Sequence, residues 1–319
     1  MPLIARAKDL NKDQTYFIWQ IKREQLPHIL FPVGEFDAKS EVRDYALSKD
    51  LITSNKPDSQ GLCFVGQTSL RDMLLQTLGQ KNGFIYAYLN QEQVDQIGIK
   101  LTKKNSQVRS DSNKFKVELG VHQGSFLYTI GQRQNLGISN GPWFVAEVDI
   151  ENNEVIVCHQ EFQTSILSNI LMIKDLNWHI DITNNAYTQS KLLNSIEKFE
   201  LKNKLINSKY IGFKNEQFNN FFESYLGEDF SITQLNLKAQ IRYRSEAQDC
   251  TVYIFTPGFD QQIDGNLGVA FTDNVDNSFA IVEFDQPIKA AAKGQSIVFY
   301  DQQTDRYLLG GGVIDKVIQ

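Results

Sequence analysis

Near residue 83 the hydrophobic period of this chain changes, and that change constrains the fold more than any other feature of the sequence. Before it, apolar residues recur at helical spacing. Val42, Tyr45 and Ala46 form one set, and Leu70, Met73, Leu74 and Leu78 another, each on one face of a short amphipathic helix. Hardly any strand-like run accompanies those helices, so residues 1–82 read as part of an α/β domain. After residue 83 the runs are those of strands, beginning at 84–88. Residues 143–149 and 155–159 make a hairpin through the polar turn Ile150-Glu151-Asn152-Asn153-Glu154. Five more runs lie at 236–243, 251–255, 279–284, 296–300 and 307–314; short strands separated by turn residues predict a small C-terminal β-barrel.

The expected architecture therefore has three parts: an α/β portion at 1–82, a central β domain at 83–161, and a barrel domain at 162–319. Residues 90–118 are polar and carry Lys and Ser, which suits a long surface hairpin or loop. Residues 181–234 are rich in Asn and Lys. There, Phe218, Phe221, Phe222 and Tyr225 fall at helical spacing before Gly227, so this stretch reads as a helical insertion in the barrel domain.

Charge limits the classes of partner. Lys and Arg total 32 against 38 Asp and Glu, a formal charge of −6, so nucleic-acid binding needs a local basic patch. The three cysteines, Cys63, Cys158 and Cys250, are odd in number and far apart, which fits a reducing cytoplasm. No apolar run is long enough to suggest a membrane span, and the first residues lack the pattern of a signal peptide. His28, His122, His159 and His179 are scattered, with no CxxC or HxxxH spacing, so no structural metal is expected.

Three constellations could carry chemistry. Cys63 sits in Gly61-Leu62-Cys63-Phe64-Val65-Gly66, where it is either a small buried thiol in a strand or a reactive thiol presented at a loop. Gly310-Gly311-Gly312 lacks room for a following helix and reads as close backbone packing in the last strand. From Leu235 to Arg244 apolar residues alternate with Asn236, Lys238, Gln240, Arg242 and Arg244. One face is therefore apolar, and the other is either a solvated face or a surface that holds RNA phosphates.

Several segments together resemble the bacterial tRNA-specific 2-thiouridylase (MnmA, also called TrmU) family. They include Asn11-Lys12-Asp13-Gln14-Thr15-Tyr16-Phe17, Leu30-Phe31-Pro32-Val33-Gly34-Glu35, Lys56-Pro57-Asp58-Ser59-Gln60-Gly61-Leu62-Cys63-Phe64-Val65-Gly66, His122-Gln123-Gly124 and Tyr128-Thr129-Ile130-Gly131-Gln132-Arg133. Further on come Gly137-Ile138, Pro142-Trp143-Phe144-Val145, Ile241-Arg242-Tyr243-Arg244, and Gly294-Gln295 through to Gly310-Gly311-Gly312, all in family order.

The resemblance implies an enzyme that replaces the C2 oxygen of the anticodon wobble uridine with sulfur, using ATP and Mg²⁺. It makes Cys63 the persulfide cysteine, and Lys12, Asp13, Gln14, Arg242, Tyr243 and Gln295 tRNA contacts. The implied partners are tRNA and a sulfur-relay donor protein, with no membrane. No SGGxDS sequence occurs in the 319 residues. Residues 1–82 are accordingly expected to be a PP-loop-type domain without its ATP-binding portion or second catalytic cysteine. That expectation leaves the chain inactive alone, either as a gene fragment or late start or as half of a split enzyme completed by a separate PP-loop chain. The alternative is a tRNA-binding module, or a gene fragment, that kept the fold.

Overall fold

The computed structural model describes residues 2–56, 69–108, 113–182, 191–194, 197–198, 200–201, 230–257 and 278–318. In chain order the strands are β1 (Ile4–Ala5), β2 (Gly83–Leu89), β3 (Ser106–Val108), β4 (Phe115–His122), β5 (Trp143–Asp149), β6 (Glu154–His159) and β7 (Leu167–Trp178). They continue with β8 (Lys191–Leu192), β9 (Phe230–Gln240), β10 (Gln248–Pro257), β11 (Phe279–Lys289), β12 (Ser296–Asp301) and β13 (Tyr307–Ile318). The α-helices are α1 (Lys39–Ser48), α2 (Leu70–Leu78) and α3 (Gln91–Ile97). The chain forms two compact units, one of residues 1–56 with 168–319 and the other of residues 57–167.

In the first unit, six strands close on themselves in the order β13-β12-β9-β10-β11-β7, with β7 returning to β13. The predicted barrel is thus present. Its interior holds Leu171, Ile173, Leu235, Leu237, Ala239, Val252, Ile254, Ala280, Val282, Ile297, Phe299, Leu309 and Ile314. The pleat turns Ile170, Met172, Tyr253, Phe255, Phe279 and Ile281 to a second apolar cluster. Both faces of several strands are therefore covered.

Close approach in β13 explains its three glycines. A Cβ on Gly310 would lie 2.5 Å from the Asn177 carbonyl oxygen, one on Gly311 2.8 Å from Trp19 and the Ile297 carbonyl oxygen, and one on Gly312 2.5 Å from Ile173. The reading of this run as backbone packing holds.

Residues 1–56 differ from their expected place. Among their described residues the helix α1 has no sheet of its own. Instead β1 pairs with β13, and Ile4, Trp19 and Leu26 pack with Val298, Tyr300 and Leu308 of the barrel strands. Asn177 Nδ2 donates to the Trp19 and Ile21 carbonyls at 2.6 and 2.9 Å, and the buried His179 Nε2 faces the same two oxygens at 3.0 and 2.9 Å. The compact units accordingly break at 56 and 167, where the sequence reading placed boundaries at 82 and 161. Both predicted helices form, as α1 and α2, with Ser69 capping α2 through Asp72 N, yet neither buries a residue.

The second unit is a sheet in the order β3-β4-β2-β6-β5, with β2 and β6 parallel. Its core is Ile85, Ala87, Leu89, Val117, Trp143, Val145, Val155 and Val157. Asn153, in the left-handed region at φ 54°, donates to the Lys81 and Asn82 carbonyls and accepts from Ser125 N. A Cβ on Gly83 would lie 2.2 Å from the Asn153 oxygen, so only glycine fits there.

Two further expectations need revision. Residues 90–118 contain the expected hairpin only in their second half, where β3 pairs antiparallel with β4; α3, capped by Asn90 and Gln93 in a reciprocal box, opens the stretch. The stretch read as an insertion ends earlier than residue 234, because β9 begins at Phe230 and β8 already pairs with it. Its proposed helix around Phe218, Phe221, Phe222 and Tyr225 lies outside the described residues. Among the described residues, no helix is long and apolar enough to cross a membrane.

Candidate nucleic-acid interface

Segments far apart in sequence meet at one end of the barrel. The residues before the 3-10 turn Thr15–Phe17, the connection between β9 and β10, and the residues leading into β12 are joined there by side-chain hydrogen bonds. Tyr16 is the clearest joint. Its hydroxyl donates toward the Ile241 carbonyl at 3.1 Å and the Ser296 carbonyl at 2.8 Å, residues directly beside Arg242 and Gln295. Burial raises the Tyr16 pKa, with the Arg242 guanidinium pulling the other way, so the hydroxyl keeps its proton at neutral pH.

A buried polar chain makes a second joint. Asp13 accepts from Thr15 Oγ1 at 2.7 Å, and Thr15 Oγ1 lies 2.9 Å from the Tyr300 hydroxyl. That hydroxyl is 3.1 Å from Gln240 Oε1, and Gln240 Nε2 donates to the Ser245 carbonyl at 2.7 Å. Ser245 in turn donates through N and Oγ to the Arg242 carbonyl. Tyr300 is wholly buried, and burial pushes its phenol up to about 12 against the Thr15 hydrogen bond and the Arg6 charge. Arg6 stacks 3.6 Å over the Tyr300 ring and reaches Asp305 at 3.0 Å and Asp13 at 3.6 Å. In the chain from Asp13 through Thr15, Tyr300 and Gln240 to Ser245 each side chain has a partner, which is the condition for deep polar groups to stabilise one arrangement, whereas Arg6 Nε has none among the described residues.

The residues expected to touch tRNA occupy unequal positions. Lys12 and Gln14 are exposed at the turn. Asp13 is buried, and its carboxylate accepts from Ala7 N, Thr15 N and Thr15 Oγ1, so it shapes the turn that displays its neighbours. Arg242 is half-buried and donates to the Ala290 carbonyl at 2.6 Å, while burial lowers its pKa. Tyr243 lies in the turn after β9, its ring 4.6 Å from that of Phe17. Gln295 accepts through its backbone carbonyl from Ile314 N at 2.8 Å, and its Oε1 is buried with no hydrogen-bond donor among the described residues.

The continuous basic strand face is corrected here. The apolar side of the alternation is right, since Leu235, Leu237, Ala239 and Ile241 are core residues. The polar side is not one open surface: Lys238 pairs with Asp249 at 3.3 Å, Gln240 is buried, and the strand ends at Gln240. Arg244 follows in the left-handed region at φ 63°, so strand alternation no longer directs its side chain. Thr15, Tyr16 and Tyr300, which hold this arrangement together, stood in the matching segments of the sequence but were given no role of their own there.

Cys63 lies outside the described residues. Cys158 and Cys250 are buried, and burial drives the Cys250 thiol strongly upward, which leaves it unreactive. Among the described residues no group of three His, Cys, Asp or Glu side chains gathers to hold a metal.

Comparison with known proteins follows the same order along the chain. Residues 2–67 match the family model described as tRNA methyl transferase HUP domain, 95–159 the tRNA methyl transferase PRC-barrel domain, and 267–314 the aminomethyltransferase beta-barrel domain. These matches show neither an absent ATP-binding portion nor an inactive chain. The tRNA-specific 2-thiouridylase MnmA of Mycoplasma capricolum is 30% identical over 99% of this chain and 60% of its own length. The enzyme of the same name from Francisella philomiragia is 29% identical over 98% of this chain and 61% of its own, and that from Psychrobacter cryohalolentis 31% over 98% and 56%. The chain thus spans about 60% of the length of the curated relatives it matches first. Three domain matches and nearly full-length similarity of this chain relate it to the tRNA-specific 2-thiouridylase (MnmA/TrmU) family.

Proposed function

We propose that this chain acts in tRNA 2-thiolation, binding tRNA at the end of its barrel and carrying sulfur on Cys63. The observation that carries this reading is its similarity, over 99% of its residues, to a protein named tRNA-specific 2-thiouridylase. The meeting of the 12–17, 241–245 and 290–296 segments supports it, because it gathers the residues expected to contact tRNA from three distant parts of the sequence.

The chemistry asks for two things from the protein. A uridine C2 oxygen is a poor leaving group until ATP activates it; no residue of this chain is assigned to ATP or Mg²⁺. The sulfur must then arrive as a nucleophile, and a persulfide on Cys63 presents one at neutral pH. Its terminal sulfur bonds to C2 as the activated oxygen departs. A second thiol then breaks the S–S bond, leaving 2-thiouridine and a disulfide that cellular thiols reduce. Arg242, Lys12 and Gln295 position the RNA through its backbone and ribose. Cys158 and Cys250, both buried, are not candidates for the second thiol. The reading places the chain in the cytoplasm with tRNA and a sulfur-donor protein.

The test is direct. Purified chain is mixed with bacterial tRNA and filter binding measured, and separately treated with a persulfide donor and analysed by intact mass. Saturable tRNA binding and addition of one sulfur atom that Cys63→Ser abolishes support the reading. No binding at 50 mM salt, about the low end where phosphate contacts are strongest, or sulfur addition unaffected by Cys63→Ser, overturns it.

A further inference from the structure

We infer that Phe17 and Tyr243 form a stacking platform for one unpaired nucleotide, with the Arg244 guanidinium beside it; the inference rests on the tRNA-binding reading above and extends it to a residue and a nucleotide class. Scattered exposed apolar side chains are ordinary. Phe17 differs because of its setting. It is 59% exposed on a three-residue 3-10 turn, and its ring lies 4.6 Å from that of Tyr243 at an angle of 48°. On its other side it meets Tyr16 edge-on at 5.5 Å. The Arg244 guanidinium carbon stands 5.1 Å from the Tyr243 ring centre.

The frame beneath these rings is fixed. Tyr16 ties the turn to Ile241 and Ser296, Arg242 ties it to Ala290, and Ser245 closes it onto the Arg242 carbonyl. Arg244 holds a left-handed backbone at φ 63°, a conformation that costs free energy for a residue with a Cβ and turns its side chain from strand alternation. An exposed Phe17 ring backed by the half-buried Tyr243, with an adjoining cation, matches a nucleobase face and its phosphate. Every base offers a π-face once unstacked, whereas a base inside a duplex does not. The occupant is therefore a single-stranded nucleotide, in a loop or flipped from a stem. An apolar protein surface would use the rings but not the cation.

The experiment uses the full chain and tRNA, with single-stranded and fully paired RNA of equal length as competitors. Phe17→Ala and Phe17→Leu should each weaken tRNA binding about tenfold with an unchanged salt slope, and Phe17→Tyr should restore it. Arg244→Ala should lower the salt slope by about one. Single-stranded RNA should compete better than duplex. Full affinity in Phe17→Leu, with thermal melting unchanged, would show that apolar bulk and not a π-face matters, and would overturn the inference alone. Equal competition by duplex would do the same. A wild-type chain that binds no RNA would remove both this inference and the reading beneath it.

Discussion

Replacing Tyr16 by Phe deletes one oxygen and keeps the ring, so it isolates the hydroxyl that joins three segments of the interface. That hydroxyl faces two carbonyl oxygens, of Ser296 at 2.8 Å and Ile241 at 3.1 Å, but has one proton, so the loss counts as one hydrogen bond shared between two acceptors. A net intramolecular hydrogen bond contributes about 1 kcal/mol, and leaving partly buried carbonyls short of a donor adds to the loss. The expected cost is about 1–2 kcal/mol, confined to the turn after β9 and the entry to β12. Such a loss raises the population of the open turn roughly 5- to 30-fold. The assay is native-state hydrogen exchange at the Ser245 amide, which bonds to the Arg242 carbonyl at 3.0 Å. Its exchange should speed by that factor while the amides of β10 and β11 remain protected. Because the hydroxyl does not face solvent as a ligand group, tRNA affinity should fall less than tenfold. Unchanged exchange at Ser245 with the ring still in place would refute the idea that Tyr16 fixes this turn.

Other outcomes follow from the same structure. Gly310→Ala should destabilise the barrel by about 2–3 kcal/mol, read as a lower urea midpoint, because its Cβ meets the Asn177 carbonyl oxygen at 2.5 Å. Asp301 is buried, which alone would raise its pKa, but hydrogen bonds from Thr304, Tyr307 and Arg306 outweigh burial and hold it below the ordinary 3.8. Its folded value is depressed, so its contribution is present above the unfolded pKa and lost as pH falls through the folded one. Asp301→Asn should therefore be less stable by about 2 kcal/mol near pH 7 and should show a shallower loss below pH 4 in acid melts. Cys63→Ser should abolish 2-thiouridine formation by the complete thiolating system, assayed by nucleoside mass spectrometry, and leave tRNA binding nearly intact. A hydroxyl preserves size but cannot carry sulfane sulfur.

Periodicity made the barrel legible wherever one strand face looked inward and the other met polar surroundings. Strand β9 was readable for that reason, β10 to β12 as short apolar runs bounded by turn residues although both their faces are covered, and the glycines of β13 announced close packing. Strand β7 was not, although it closes the barrel. Its run Ile170-Leu171-Met172-Ile173 shows no alternation because Leu171 and Ile173 face the barrel interior while Ile170 and Met172 pack in the opposite cluster. Helix α3 carried a readable signal that composition obscured: Asn90 followed three residues later by Gln93, a reciprocal cap, in a stretch whose polarity suggested a loop.

What the sequence by itself determined was the kind of element each periodic run forms, the inward face of β9, the packing role of Gly310 to Gly312, and the motifs it shares with the 2-thiouridylases it resembles. Tertiary structure alone decided where those elements go. Residues 1–56 join the barrel because Ile4, Trp19 and Leu26 find Val298, Tyr300 and Leu308 nearly 300 residues away, and no local pattern encodes such a partner. The same holds for the interface. Local chemistry marks Asp13, Arg242 and Lys12 as polar, but only burial divides them: it commits Asp13 to the turn and half-buries Arg242, one guanidinium nitrogen on the Ala290 carbonyl, while Lys12, Phe17 and Arg244 stay at the surface. A side chain's availability to a ligand is set by what the folded chain has already placed against it, and that is a property of long-range contacts.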